Sequence, residues 1–308
     1  MYFSLNDYFR KTFGTKGYKI SLSAGMTCPN RDGTCGDKGC IFCSGSGEFA
    51  QRGDSLTEQI NIAAEKIRHK NRDGRLIAYF QDYTNTYAPI DVLRELFTEA
   101  IAHPEVAVLS IATRPDCLSD EVIVLLSELN RVKPVWVELG LQTIHESTTK
   151  FIRRGYDLSV YDEAVRRLHS VEIQVITHLI IGLPGETPEM LMESIDHVSA
   201  IGTDGVKLHL LHVLRGTDLG DLYLQGKIST LDFSTYLALL AKCVNRLPPD
   251  VVIHRLTGDG DKRTLIAPLW SGDKKHVLNG IKTYFSAENV CQGKNSLDIC
   301  RRNLYNNK

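Results

Sequence analysis

The sequence predicts an α/β fold on a parallel sheet, arranged as a partial or complete barrel or as an open sheet, with a C-terminal extension. Two observations carry this. Helix-like and strand-like segments alternate along the first two thirds of the chain. The strand segments are continuous apolar runs, as in strands buried on both faces. Residues 19–23 form the first strand. Leu56, Ile60, Ala63, Ala64 and Ile67 recur at helical spacing, and RLIAYFQ (75–81) is the second strand. Leu93, Leu96, Phe97, Ala100 and Ile101 mark the next helix, followed by the strand VAVLSIA (106–112). Val122, Leu125, Leu126 and Leu129 form a helix face before VWVELGL (135–141). Leu158, Tyr161, Val165, Leu168 and Val171 form another before IQVITHLIIG (173–182). A helix over 187–200 leads to the strand GVKLHLLHV (205–213), completing six βα-type units. Beyond it lie a helical stretch (232–246), a short strand VVIHRL (251–256) and a polar tail, read as an extension packed on the units before it.

Composition sets the class. Of 308 residues 43% are hydrophobic and 24% charged, which suits a globular chain with a large core. No apolar run approaches a membrane span, and MYFSLNDYFRKTFG has no leader-like apolar stretch, so no membrane partner and a cytoplasmic setting are expected. The net charge of −1 neither suggests nor excludes a nucleic acid. Short basic clusters stand at Arg10-Lys11 with Lys16 and Lys19, at Arg153-Arg154, at Lys274-Lys275 and at Arg301-Arg302; each reads as solvated surface charge.

Four of the eight cysteines fall in CPNRDGTCGDKGCIFC, at 28, 35, 40 and 43. Glycines, Pro29 and Asn30 make this segment a loop. Clustered thiols in a reducing compartment point to metal or redox chemistry. Four thiolates suit a structural zinc, whereas three would leave an iron of an iron–sulfur cluster open to substrate; spacing leaves both readings standing. The loop follows the first strand, so it shares a rim with the C-terminal ends of the other strands, where parallel α/β folds place chemistry. That rim holds Gln81-Asp82, residues 110–114, 138–142, 178–186 and 207–212.

The cysteine loop resembles that of the radical S-adenosylmethionine (SAM) superfamily. Its CPNRDG…GCxFC form is similar to that of the YtqA/YhcC family, related to the catalytic subunit of Elongator. YFQDYTNTYAP (79–89), SIATRPDCL (110–118), VWVELGLQT (135–143), HLIIGLPGET (178–187), KLHLLHVLRGT (207–217) and VVIHRLTGDG (251–260) extend the resemblance over residues 1 to about 285. It implies a partial (β/α)6 TIM-type barrel over 19–215 with a cluster loop at 25–47, an N-terminal arm (1–18) and a C-terminal extension (216–308). It implies a [4Fe–4S] cluster on Cys28, Cys40 and Cys43, with Cys35 outside the ligand set; Cys291 and Cys300, nine residues apart in a polar tail, read as free thiols. Phe42 would shield the cluster. For SAM it implies contacts from Gln142, Arg154 (to the methionyl carboxylate), His178 (where relatives often carry a ribose-binding acid), Ser110 and Thr113. Ile181 would pack on adenine beside Gly182, and Gln81 and Asp82 stand near the place of the usual Gly-Gly-Glu that takes the SAM amino group.

The resemblance further implies an enzyme that reductively cleaves SAM to a 5′-deoxyadenosyl radical. Its expected target is the 5-carboxymethylaminomethyl group of a tRNA wobble (2-thio)uridine, and its product the 5-aminomethyl form. A low-potential electron donor of flavodoxin or ferredoxin type is expected. His209, His212, Arg215, His254, Arg255, Tyr83, Asn85 and Tyr87 would face the substrate from the rim. Alternation in KLHLLHVL can instead set a histidine into the barrel wall. A basic approach surface is expected from the N-terminal arm, Arg52 and the tail. The alternatives are a radical SAM enzyme on a small molecule and a zinc-stabilised nucleic-acid-binding protein without catalysis.

Overall fold

The structure is a computed structural model and describes residues 1–45, 55–69, 71, 73–258, 260 and 262–296. Arg52, Cys300, Arg301-Arg302 and the end of the expected cluster loop lie outside the described residues. Nine strands are described: β1 (Gly17–Leu22), β2 (Arg75–Phe80), β3 (Val106–Thr113), β4 (Val135–Gln142), β5 (Gln174–Ile181), β6 (Gly205–Leu210), β7 (Val213–Leu214), β8 (Val252–Arg255) and β9 (Leu265–Ala267). The helices are α1 (Leu5–Phe13), α2 (Leu56–Arg68), α3 (Ile90–Ala102), α4 (Asp120–Asn130), α5 (Glu146–Phe151), α6 (Leu158–Ser170), α7 (Pro188–Ala200), α8 (Asp218–Leu224), α9 (Phe233–Arg246) and α10 (Lys274–Ala287).

Seven strands form one parallel sheet in the order β1-β2-β3-β4-β5-β6-β8, curled into a partial barrel. Successive side chains of a strand point to opposite faces. On β4, Val135, Val137, Leu139 and Leu141 join the outer core with Phe97, Leu125, Val165 and Leu168 of the helices. Trp136 points the other way, into the lumen, with Ile77, Val108 and Ile176 from the starts of β2, β3 and β5. Both faces are buried, which is why these strands read as continuous apolar runs.

Three expectations are revised. The run over 205–213 is not one strand: β6 ends at Leu210, and β7 pairs antiparallel with β9 in a separate two-stranded sheet. The strand near 251–256 is not merely packed on the barrel. As β8 it pairs parallel with β6 and extends the sheet to seven strands. The N-terminal arm is a helix with a task. Ser4 caps α1 through the Asp7 amide, Asp7 accepts from the Ser4 amide in return, and Gly14 closes the helix at φ 71°. Residues 3 and 4 also pair with Ile253, so the arm meets the free edge of β8.

Helix α1 closes the N-terminal end of the lumen. Phe9 is fully buried, with ring centroids 4.6 Å from Phe13 and 6.1 Å from Trp136. Gly17 makes room for it, since a Cβ there would come within 2.5 Å of the Phe9 ring. Phe9→Ala should therefore cost about 3–5 kcal/mol in urea unfolding. A loss under about 1 kcal/mol would show that the plug does not hold the barrel.

Candidate active site

The cysteine loop leaves the C-terminal end of β1 and is wound by its own backbone. Arg31 N–H donates to the Cys28 carbonyl (2.8 Å), Cys35 N–H to Pro29 (2.7 Å), Gly39 N–H to Asn30 (2.6 Å) and Cys43 N–H to Cys40 (3.0 Å). Asn30, only 4% exposed, donates its amide to the Arg153 and Arg154 carbonyls at 2.8 and 3.1 Å and lies 3.6 Å from the Cys40 sulfur. The Arg31 guanidinium crosses the loop to the Cys43 carbonyl (2.5 Å). It passes over Gly39 and Gly45, where any Cβ would lie within 2.9 and 2.6 Å of it. Both glycines also hold positive φ, which other residues adopt at a cost.

Cys28, Cys40 and Cys43 share one electrostatic neighbourhood. Burial first, then the neighbouring Cys43 and Cys28 thiols, push Cys40 up to about 11. Cys35 is set apart: it is exposed and lines an outer groove of about 630 Å³ with Tyr87 and Cys117. Cys291 is exposed. Among the described residues no three His, Cys, Asp or Glu side chains close on a single metal ion. Three thiols on one preformed loop are the donor set a cluster takes.

Beneath the loop the lumen changes from apolar to polar. Glu138 of β4 is fully buried. It pairs with Lys19 of β1 and Lys207 of β6, accepts from Ser110 of β3 at 2.6 Å and from His178 Nε2 of β5 at 2.7 Å. Lys207 also donates to the Tyr79 hydroxyl of β2 at 2.9 Å, and both ammonium groups stand over the Tyr79 ring, at 4.4 and 4.1 Å. Burial alone would raise the Glu138 carboxyl; the two ammonium groups and His178 overcome it and hold it well below the usual carboxylate range. Burial, followed by the Lys207 charge, lowers His178 to about 4, so His178 is neutral and donates through Nε2. His209 lies beside it with its ring tilted by 57°, centroids 5.2 Å apart, and burial holds it well below its usual range too.

The residues expected around SAM separate into groups. Gln142 ends β4 at φ 65°, folded over Gly140, with its amide oxygen buried and unpartnered. Asp82 at the end of β2 also has a buried, unpartnered oxygen, and burial raises its carboxyl. Gln81 accepts from Ser21 at 2.7 Å. Gly182 sits at φ 90°, where a Cβ would meet Leu231 at 2.9 Å. Ser110 and His178 belong to the Glu138 network, below the rim. Thr113 is buried and shares its hydroxyl with Thr86 at 2.6 Å. Ile181, expected against adenine, points outward into the helix-packed core, while Ile180 packs with Ile41 and Phe42 on the loop's side. Arg154, 3% exposed, donates to the Leu141 (3.0 Å), Thr143 (2.7 Å) and Tyr156 (2.8 and 3.1 Å) carbonyls, so it braces the rim.

The expected substrate-facing residues also divide. Tyr83 and Tyr87 bind the cysteine loop, at the Gly45 carbonyl and, at 2.9 Å, the Thr34 hydroxyl. Asn85 is a buried turn residue that donates to the Phe80 and Ala112 carbonyls. His212 packs against Gly258 and Gly260, and Arg215 is exposed beside β9. His254 is not at the rim. It lies at the closed end against Trp136, ring centroids 5.2 Å apart, in a recess with Gln174 and Asp204 from the strand starts. Arg255 stands opposite Lys207 after a register shift, and its charge reaches Lys19, Tyr79 and His209.

Lys19 and Tyr79 received no site role from sequence reasoning, and Glu138 and Lys207 were placed only as members of the rim stretches 138–142 and 207–212, with no task of their own. Lys19 was expected as surface charge and is instead a lumen residue. The available signal was a charged residue inside an otherwise apolar strand run, as in VWVELGL and GVKLHL.

Comparison with known proteins identifies the family and the fold. The radical SAM superfamily model matches residues 28–198, and the Radical_SAM C-terminal domain model matches residues 203–287. YtqA of Bacillus subtilis is 44% identical over 296 residues, covering 95% of this chain and 92% of its own. YhcC of Escherichia coli K12 is 36% identical over 283 residues, covering 91% of each. A tRNA uridine(34) acetyltransferase of Dehalococcoides mccartyi is 30% identical over 154 residues, covering 49% of this chain and 33% of its own. Among solved structures, the archaeal Elp3 of Methanocaldococcus infernus superposes with TM-score 0.68 at 17% identity, over 90% of this chain and 64% of that one.

The buried histidines set a pH dependence. Free histidine titrates near 6.5 and His178 near 4, so between these values the unfolded chain binds a proton that the folded one does not. Stability must fall as pH drops through that window, by about 1.4 kcal/mol per unit for one fully shifted histidine. His209 and His254, also lowered, act in the same direction. Urea midpoints measured at pH 7, 6 and 5 should decline, and less steeply in His178→Gln; a flat profile in both proteins would exclude a neutral buried His178.

Proposed function

This chain belongs to the radical SAM superfamily, and from that premise we propose that it is a tRNA-modifying member acting on the wobble uridine. It is an enzyme, and its cofactors are a [4Fe–4S] cluster and SAM. In our reading Cys28, Cys40 and Cys43 hold the cluster. When bound, the two cofactors together supply hydrogen-atom abstraction from an unactivated carbon. The chain's own residues bind, orient and exclude water. The open oxygens of Gln142 and Asp82 accept from polar groups of SAM; Asp82 suits an ammonium. Ile180, Ile41 and Phe42 give the loop a dry wall. Gly182 lets backbone approach adenine.

The observation that carries the reading is the placement of three thiols at the open rim of a lumen that α1 closes at the other end. A reactive carbon generated there meets only what enters from the rim. For the substrate, the support is the sequence relation to a protein described as a tRNA uridine(34) acetyltransferase. We assign the 5-carboxymethylaminomethyl group of that uridine as the target. Hydrogen removal from the CH2 beside the carboxylate, return of one electron from the resulting radical to the cofactor pair and addition of water to the imine so formed would release the two carbons as glyoxylate and leave the 5-aminomethyl group. A flavodoxin- or ferredoxin-type donor in the cytoplasm suits the electron demand. Among the described residues no helix is long and apolar enough to cross a membrane.

The test is anaerobic reconstitution followed by incubation with SAM, reductant and tRNA carrying the carboxymethylaminomethyl group. Mass spectrometry of the wobble nucleoside should show the 5-aminomethyl form. Cys28→Ala, Cys40→Ala and Cys43→Ala should each lose the [4Fe–4S]⁺ EPR signal and the product, whereas Cys35→Ala keeps both. SAM cleavage with an unchanged tRNA nucleoside would refute the substrate assignment. Gln142→Gly separates binding from folding: relief of the left-handed backbone should leave stability equal or higher by up to about 1 kcal/mol. SAM affinity should nevertheless drop several-fold in equilibrium dialysis; unchanged affinity would remove Gln142 from the SAM site.

A further inference from the structure

The lumen below the rim has a charge imbalance that neither cluster nor SAM binding explains. Lys19 and Lys207 bring two ammonium groups to one carboxylate, Glu138. The groups that complete the shell are the Ser110 hydroxyl, the Tyr79 hydroxyl and the neutral His178, none of them anionic. Arg255 adds a further positive field at both lysines and at His209. Asp82, the other acid whose charge reaches Tyr79, stands at the end of β2.

We propose that Lys207 and Lys19, held apart by Glu138, form a carboxylate-binding site in the lumen that receives the acidic end of the substrate's side arm. The proposal rests on the wobble-uridine reading and adds to it a specificity site. Three features of the geometry carry it. First, Glu138 is fully buried, whereas the Lys19 side chain keeps 18% of its surface exposed and the neutral His178 17%, so a ligand from the rim meets an ammonium and an imidazole before the anion. Second, an ammonium has three N–H donors. Lys19 spends one on Glu138, and Lys207 spends two, on Glu138 and Tyr79, so donors remain for a second carboxylate. Third, the site is a dead end. Phe9, Trp136, Ile77, Val108 and Ile176 seal it below. Burial lowers both lysines, a penalty that a second carboxylate relieves.

The methionyl carboxylate of SAM carries the same chemistry. Depth favours the substrate. Glu138 lies opposite Ile176 and Gln142 opposite Leu179 on β5, so the bulge in β4 leaves three strand steps between them, or about 10 Å at 3.3 Å per residue. A SAM molecule engaged with a cluster on the cysteine loop keeps its amino acid end at the rim. The substrate arm is what can descend.

The test uses the reconstituted holoenzyme under anaerobic conditions and isothermal titration with 5-carboxymethylaminomethyluridine, its methyl ester and 5-aminomethyluridine. The acid should bind at least tenfold more tightly than either neutralised or truncated form. Lys207→Met and Lys19→Met should each lower the thermal midpoint, since each removes a partner of the buried Glu138; measured where the variants are folded, each should shrink that preference below about twofold, with Lys207→Arg recovering part of it, while SAM affinity stays near wild type. Equal binding of acid and ester to wild type would overturn the site. So would loss of SAM affinity in Lys207→Met with the acid preference intact, which would give these lysines to SAM. A series of N-alkylglycines separates the two levels of the argument. If no nucleoside binds, yet N-alkylglycines bind over their esters and lose that preference in Lys207→Met, the uridine assignment fails and the carboxylate site stands.

Discussion

The ionised carboxylate of Glu138 is the constraint on which the barrel depends. A buried charge is costly unless paired and hydrogen-bonded, and here the partners arrive from β1, β3, β5 and β6 at once. Four strands must therefore hold one register, because a slip of one residue would turn any partner out of the lumen. Removing one partner of such a network typically costs about 3–5 kcal/mol, whereas an apolar replacement of the whole is often neutral. Stability alone thus gives little reason to keep two lysines and a glutamate inside a barrel. What they present to a ligand is the role that fits their place in the lumen.

The two ends of the barrel divide the work. At the strand starts α1 and the aromatic cluster around Trp136 make a dry, sealed floor. At the strand ends the chain accepts strain. Tyr83, Gln142 and Arg153, three of the five non-glycine residues with positive φ among the described residues, lie at the rim or beside the cysteine loop. Sparsely populated backbone at that end and regular strands at the other fit a fold whose chemistry is confined to one face.

Much of the outer architecture was legible because each strand and helix contributes a periodic apolar set to one shared core. The inner architecture was harder to read. Ile181 and Ile180 are equally apolar, and only the parity of β5 tells which one faces the loop. Lys19 and Arg154 read as surface charge because neighbouring basic residues masked the fact that each is taken up by partners far along the chain. The short segment that became β8 could not be placed in the sheet without knowing that β6 stops at Leu210 and leaves an edge to be covered. His254 followed the strand it sits on, so an expected rim residue arrived at the floor. The thiol loop needed no such context, because its cysteines and the turns that wind it are local in sequence.

Arg154 shows how the rim and the loop become one body. Of its five N–H donors four are committed to carbonyls of Leu141, Thr143 and Tyr156, and its ring-stacking partner is Tyr156 at 4.4 Å. Its own carbonyl accepts from Asn30 of the cysteine loop and from Arg114, whose guanidinium is pinned by Asp116. This single residue therefore ties the thiol loop to the ends of β3 and β4. A guanidinium used in this way cannot turn to grip a cofactor carboxylate in a bidentate fork without releasing the carbonyls that position the loop. The resemblance assigned Arg154 to that grip; the geometry gives it the prior task of holding the thiols and Gln142 in fixed relation, with one N–H left over for a ligand.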